Sequence, residues 1–201
     1  MKKSGFTLAE VLITLVIIGV IAAMTVPTLM NNTNSQEFRS ALKKAISALN
    51  QAVTMQYALE GTLISDYNSA ENVVKDVFNA RLNVINTGAG TDTTLWAGAS
   101  ADNSNCSGSV FITADGLSYC IQNFSNASGS TTGACDSSGS TPCSTNNAVN
   151  VLIDVNGLKK PNKLTTSSAQ PKDIYQAHLY SQRVVPVGAA TQEVMYDANL
   201  Q

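Results

Sequence analysis

Three sets of residues in this chain have types and spacings suited to chemistry. Glu10 is the one carboxylate in an otherwise apolar run from Phe6 to Val26, where it can act as an ion-pairing group or reach for a headgroup layer. Cys106, Cys120, Cys135 and Cys143 all follow that run, and an even number of thiols in an exported domain reads as two disulfides. Asp154 and Asn156 place oxygens around Gly157 in "DVNGLKKPNK", Asp154 to Lys163, and Asp173 is near enough to join them. Such oxygens suit a hard cation such as calcium, which takes about six to eight of them. Lys159, Lys160 and Lys163 oppose a cation there, so a plain hairpin turn is the favoured reading and no cofactor is expected, with calcium kept as the alternative.

Catalysis is not indicated. His178 is the only histidine and falls in an alternating, strand-like run, and no serine or cysteine can be assigned to it as a nucleophile. None of the cysteines forms a C-x-x-C, and one histidine leaves too few ligands for a usual zinc site. Charged residues are 13% of the chain and the net charge is -2, which argues against the basic footprint that nucleic-acid binding needs. The four cysteines allow three pairings. Cys106 with Cys120 and Cys135 with Cys143 close the shortest loops and are preferred.

The elements that must position these residues begin with Met1-Lys2-Lys3 and the apolar run. The run is roughly 30 Å of helix at ~1.5 Å per residue, enough to span a bilayer and longer than the core of a secretory signal peptide. Lys2 and Lys3 keep the amino terminus in the cytoplasm and deliver the rest to the far side. Pro27 and the polar cluster Asn31 to Ser35 predict a weakened helix, which then resumes with Phe38, Leu42, Ile46, Leu49, Val53 and Tyr57 as one apolar stripe and stops at Gly61.

A second helical pattern lies within Asp66 to Asn83, capped by Ser69, with Val74, Val77, Phe78 and Leu82 on one side. Strand-like runs follow at Thr94 to Ala97, Ser109 to Thr113, Leu117 to Ile121, Val149 to Val155, Ile174 to Tyr180 and Arg183 to Val187. Asp115-Gly116 predicts a two-residue hairpin turn that sets Cys120 opposite Phe111. The Ser/Gly-rich stretch 125–147 is nearly devoid of large apolar residues and reads as a surface excursion. The fold class is α+β: a long amino-terminal helix, membrane-spanning in its first half, packed on a small antiparallel sheet.

From physics alone, two roles are open to Glu10. A carboxylate at the centre of a membrane helix costs ~2.5 to 3.5 kcal/mol and less near an end, so it can snorkel to the cytoplasmic headgroups or pair with a cation. The surrounding residues, Ser4-Gly5-Phe6-Thr7-Leu8-Ala9-Glu10 after a very short basic leader, closely resemble the class III signal of the type IV pilin superfamily, which includes type IV pilins and type II secretion pseudopilins.

The resemblance implies cleavage between Gly5 and Phe6 by a prepilin peptidase and methylation of the new Phe6 amine. It also implies an assembly role for Glu10 against the terminal amine of a neighbouring subunit. Gly19 and Pro27 fall where many members carry helix-weakening residues. The organisation expected is a leader 1–5, a transmembrane and filament-core helix 6–30, an amphipathic continuation 31–60 and a pilin-like α+β head 61–201. The function expected is that of a structural filament subunit, with other pilins, an assembly platform and an ATPase as partners and the membrane as host before assembly. A type II secretion pseudopilin, or a membrane-tethered exported domain that never polymerises, are the alternatives. Some pseudopilins bind calcium in the region corresponding to Asp154 to Asp173.

Overall fold

The computed structural model describes residues 5, 7–67, 69–98, 104–122, 148–164 and 173–196. The chain divides into two compact units, the first ending at Glu37 and the second beginning at Phe38. Cys135, Cys143 and the excursion 125–147 lie outside the described residues.

Helix α1 (Leu8–Glu60) includes residues 27–35, where a weakening was expected. Pro27 removes one main-chain donor, and that loss does not end the helix. In the first unit, Leu8–Val26 is long and apolar enough to cross a membrane, and its side chains are almost all exposed within the chain. Two threonine hydroxyls on it are satisfied locally: Thr14 donates to the Val11 carbonyl at 2.9 Å and Thr25 to that of Ile21 at 3.0 Å. Hydrocarbon offers such groups no other partner.

The second unit is built on the rest of α1. Leu42, Ala45, Ile46, Leu49, Ala52 and Val53 are buried at helical spacing, as the stripe required, and Phe38 is half-buried. The last predicted member departs from it: Tyr57 is 48% exposed and Gln56 is buried instead. Gln56 is tolerated there because its amide donates to the Thr62 hydroxyl at 2.8 Å and the Tyr67 hydroxyl at 3.1 Å. The helix stops where Gly61, at φ +69°, donates to the Tyr57 carbonyl. Ser69 caps α2 (Ala70–Val73) by accepting from the Asn72 amide, and a π-helical turn (Val74–Phe78) leads into α3 (Asn79–Arg81). This segment buries Val73, Val74, Val77 and Phe78.

Six strands form one antiparallel sheet in sequence order: β1 (Val84–Ala89), β2 (Ser109–Thr113), β3 (Ser118–Ile121), β4 (Val149–Asp154), β5 (Ile174–Leu179) and β6 (Val184–Pro186). One face, with Phe111, Tyr119, Ile121, Val151 and Ile153, joins α1 and the Val73 to Phe78 segment in the main core, where Phe78, Phe111 and Tyr119 stack at centroid distances of 5.1 and 4.7 Å. The other face, with Val110, Cys120, Leu152 and Ile174, is covered by Leu95, Trp96, Cys106 and Leu164. Helix α4 (Ala189–Tyr196) follows β6.

The structure corrects four expectations. Thr94 to Ala97 is not a strand: the Leu95 and Trp96 amides both donate to the Asp92 carbonyl, and the Asp92 side chain caps Thr94, which folds the segment into a turn that buries two consecutive apolar side chains. β1 and α4 were not anticipated; β1 is an edge strand, largely exposed and interrupted by Asn86 and Gly88, so it lacks a core-facing alternation.

The hairpin loop has three residues, not two. Only Gly116 has positive φ there, Thr113 donates to the Leu117 carbonyl and Gly116 to that of Thr113. A single left-handed glycine after a type I turn makes a bulged three-residue loop, and the register moves by one. Phe111 therefore pairs with Tyr119, and Cys120 pairs with Val110 on the opposite face.

Candidate functional site

The β4–β5 connection gathers the oxygen-bearing residues that the sequence singled out. Asp154 ends β4 and Asp173 immediately precedes β5, and they are 1% and 0% exposed. Asp173 accepts the Lys163 amide at 2.7 Å on Oδ1 and the Asn162 amide at 2.8 Å on Oδ2, while Asp154 Oδ1 accepts the Asn156 amide at 3.1 Å. Burial pushes the Asp154 carboxyl up to about 8, with the charge of Asp173 adding to the shift. Asp173 is also raised by burial, against the pull of its main-chain donors.

Two buried oxygens in this region have no hydrogen-bond partner: Asn156 Oδ1, and Ser118 Oγ on the strand position paired with Asp154. The Asn162 side-chain amide stands 2.8 Å from the Lys159 carbonyl and 3.2 Å from both Asp154 Oδ2 and the Gly157 carbonyl. With its nitrogen turned that way, two N–H groups face three acceptors.

Gly157 is fixed by geometry, since its φ is +68° and a Cβ would lie 2.6 Å from the Gly116 carbonyl. Sequence reasoning found Asp154, Asn156 and Asp173, and missed Asn162, Ser118 and the carbonyls of Gly157 and Lys159. The lysines are all exposed, which weakens the repulsion that their proximity in sequence suggested. Among the described residues no group of three or more His, Cys, Asp or Glu gathers, so the donors are two carboxylates with amide, hydroxyl and main-chain oxygens. That set fits a hard cation and not zinc.

At the amino terminus, Thr7 directly precedes α1, and its hydroxyl accepts the Glu10 amide at 3.3 Å. In return Glu10 Oε2 accepts the Thr7 main-chain N–H and hydroxyl, both at 2.9 Å. This reciprocal arrangement is a capping box. The Thr7-x-x-Glu10 spacing was a visible signal for it that the sequence reading passed over. Gly5 is exposed, and Phe6 lies outside the described residues. Gly19 is inside α1, and a Cβ there would meet nothing within 4 Å, so packing within the chain does not require a glycine.

A family model described as the prokaryotic N-terminal methylation motif matches residues 1–26. That segment supports the resemblance to the type IV pilin superfamily. The type II secretion system core protein G of Aeromonas hydrophila is 39% identical over 54 residues, 27% of this chain and 37% of the relative. The protein of the same name from Escherichia coli (strain K12) is 41% identical over 54 residues, with the same shares covered. The chain thus matches little more than a third of the length of these relatives. No solved structure matches it.

The expected pairing of Cys106 with Cys120 is present, with Cα atoms 5.9 Å apart. The shifted register puts Cys120 on the face that Cys106, Leu95 and Trp96 cover, and the bridge ties that cover to β3. Trp96 reinforces it by donating its indole N–H to the Ser104 carbonyl at 2.7 Å. His178 is half-buried on β5, and burial holds its imidazole below its ordinary value.

Proposed function

We propose that the chain is a structural subunit of a type IV pilus-like filament, inserted in the cytoplasmic membrane as a prepilin with its amino terminus inside and its head on the far side. A prepilin peptidase cuts after Gly5, Phe6 is methylated, and an assembly platform and ATPase move the subunit into a filament of its own copies or related pilins. The observation that carries this reading is the methylation motif over residues 1–26 on a helix whose Leu8–Val26 side chains find almost no cover within the chain. Such a surface needs lipid first and other helices afterwards. A type II secretion pseudopilin is the second reading, favoured by the two core protein G relatives.

The same reading includes a calcium-like cation in the head. Asp154 and Asp173 would supply its charge, with Asn156 and neighbouring carbonyls as neutral donors; the partnerless Asn156 and Ser118 oxygens support it. The cation would neutralise the buried carboxylates and join β4 to β5. Intact mass and amino-terminal sequencing of the protein from its own cells test the filament reading. A chain starting at methylated Phe6 supports it, whereas a start at Met1 or near residue 30 contradicts it.

A further inference from the structure

The β4–β5 connection also presents a surface that the filament reading leaves unused. Leu158 is 46% exposed, Lys159, Lys160 and Lys163 are exposed, and the lysines have no ion-pair partner among the described residues. The main chain that carries them is held from within, because Asp173 binds the Asn162 and Lys163 amides and Asn156 binds the Lys160 carbonyl.

Its place in the head is fixed by two contacts. Gly157 abuts the Gly116 carbonyl, and the adjacent Asp115 pairs with Lys44 at 2.7 Å. The loop therefore lies at the end of the sheet where α1 enters the head. In sequence, only residues 27–37 lie between Val26, the end of the span, and Phe38, where the head begins.

We propose that, in the membrane-inserted subunit, Leu158, Lys159, Lys160 and Lys163 dock on anionic lipid headgroups of the leaflet facing the head. The ammonium groups meet lipid phosphates and Leu158 seats among the headgroups, a division of labour that basic and apolar side chains adopt at bilayer surfaces. Each lysine near an anionic surface strengthens such a contact on the order of fivefold. The contact holds the head against the bilayer and must be released when the subunit leaves for a filament. This inference rests on the membrane-inserted reading given above.

The test uses the full chain in nanodiscs of zwitterionic lipid, with and without added phosphatidylglycerol, and hydrogen exchange over residues 155–164. Exchange should slow on the order of fivefold or more in the anionic discs. The protection should vanish at high salt and in Lys159→Gln/Lys160→Gln, whose surface substitutions leave the core untouched. Equal exchange in both lipids, or protection that survives the double substitution, overturns the docking while leaving membrane insertion intact. Failure of the chain to co-purify with either disc overturns both.

Discussion

Asn50 of α1 grips both main-chain groups of Val184 on the edge strand β6: its Oδ1 accepts the Val184 N–H at 2.8 Å, and its Nδ2 donates to the Val184 carbonyl at 3.0 Å. The same Nδ2 also donates to the Ile46 carbonyl. One helical amide thus stands in for a seventh strand and seals an edge that would otherwise offer unpaired groups to another chain. Asn50→Leu keeps the size and removes both bonds, so the head should lose about 1–3 kcal/mol in urea denaturation. An unchanged midpoint would show that water serves Val184 equally well.

The Cys106–Cys120 bridge closes a short loop, and its removal by Cys106→Ser/Cys120→Ser should cost roughly 3 kcal/mol. Loosening should appear first at Trp96, whose cover depends on that segment. Near-ultraviolet circular dichroism and thermal melts of the variant check it; a native spectrum with an unchanged melting temperature would contradict it.

The buried carboxylates predict a pH dependence in chelator. Asp154 is raised from its ordinary value to about 8, so the folded head binds a proton that the unfolded chain has released. Its contribution is complete below about pH 4 and is lost as pH rises through about 8. Apo stability should therefore fall across that window, and added calcium should restore most at its upper end. Melting curves that are flat across it, or insensitive to calcium, would remove the proposed cation.

Thr7→Val deletes the hydroxyl of the capping box and keeps the side-chain volume. Loss of an N-cap costs ~1 kcal/mol, which should appear as faster amide exchange over the first turn of α1, Leu8 to Val11, in nanodiscs. Unaltered exchange would mean that Glu10 and the bilayer hold the helix start unaided.

Much of this architecture was legible because periodicity and punctuation agreed. The Leu42 to Val53 stripe, the Ser69 cap and the Gly61 stop each have a local cause and fell where the sequence put them. The hairpin register did not, because Asp115-Gly116 suits both a two-residue and a bulged three-residue turn, and closure by Thr113 and Leu117 decides between them. That choice also settles which face Cys120 occupies. In the β4–β5 connection the aspartates were visible as oxygen donors. The Gly157 and Lys159 carbonyls were not, since main-chain groups leave no mark in residue type.

We propose, as the resemblance to type IV pilins implies, that Glu10 acts in assembly through its charge, paired with the Phe6 amine of a neighbouring subunit, and not only through the capping box it forms with Thr7. Glu10→Gln separates the two roles, because an amide oxygen still accepts from Thr7 but carries no charge. Truncating one side of a buried ion pair typically costs ~3 to 5 kcal/mol, enough to suppress assembly. The decisive measurement is filament yield from Glu10→Gln expressed without wild-type subunit, alongside its cleavage after Gly5. The account predicts normal cleavage, retention in the membrane and few or no filaments; wild-type yield from correctly cleaved Glu10→Gln would contradict it.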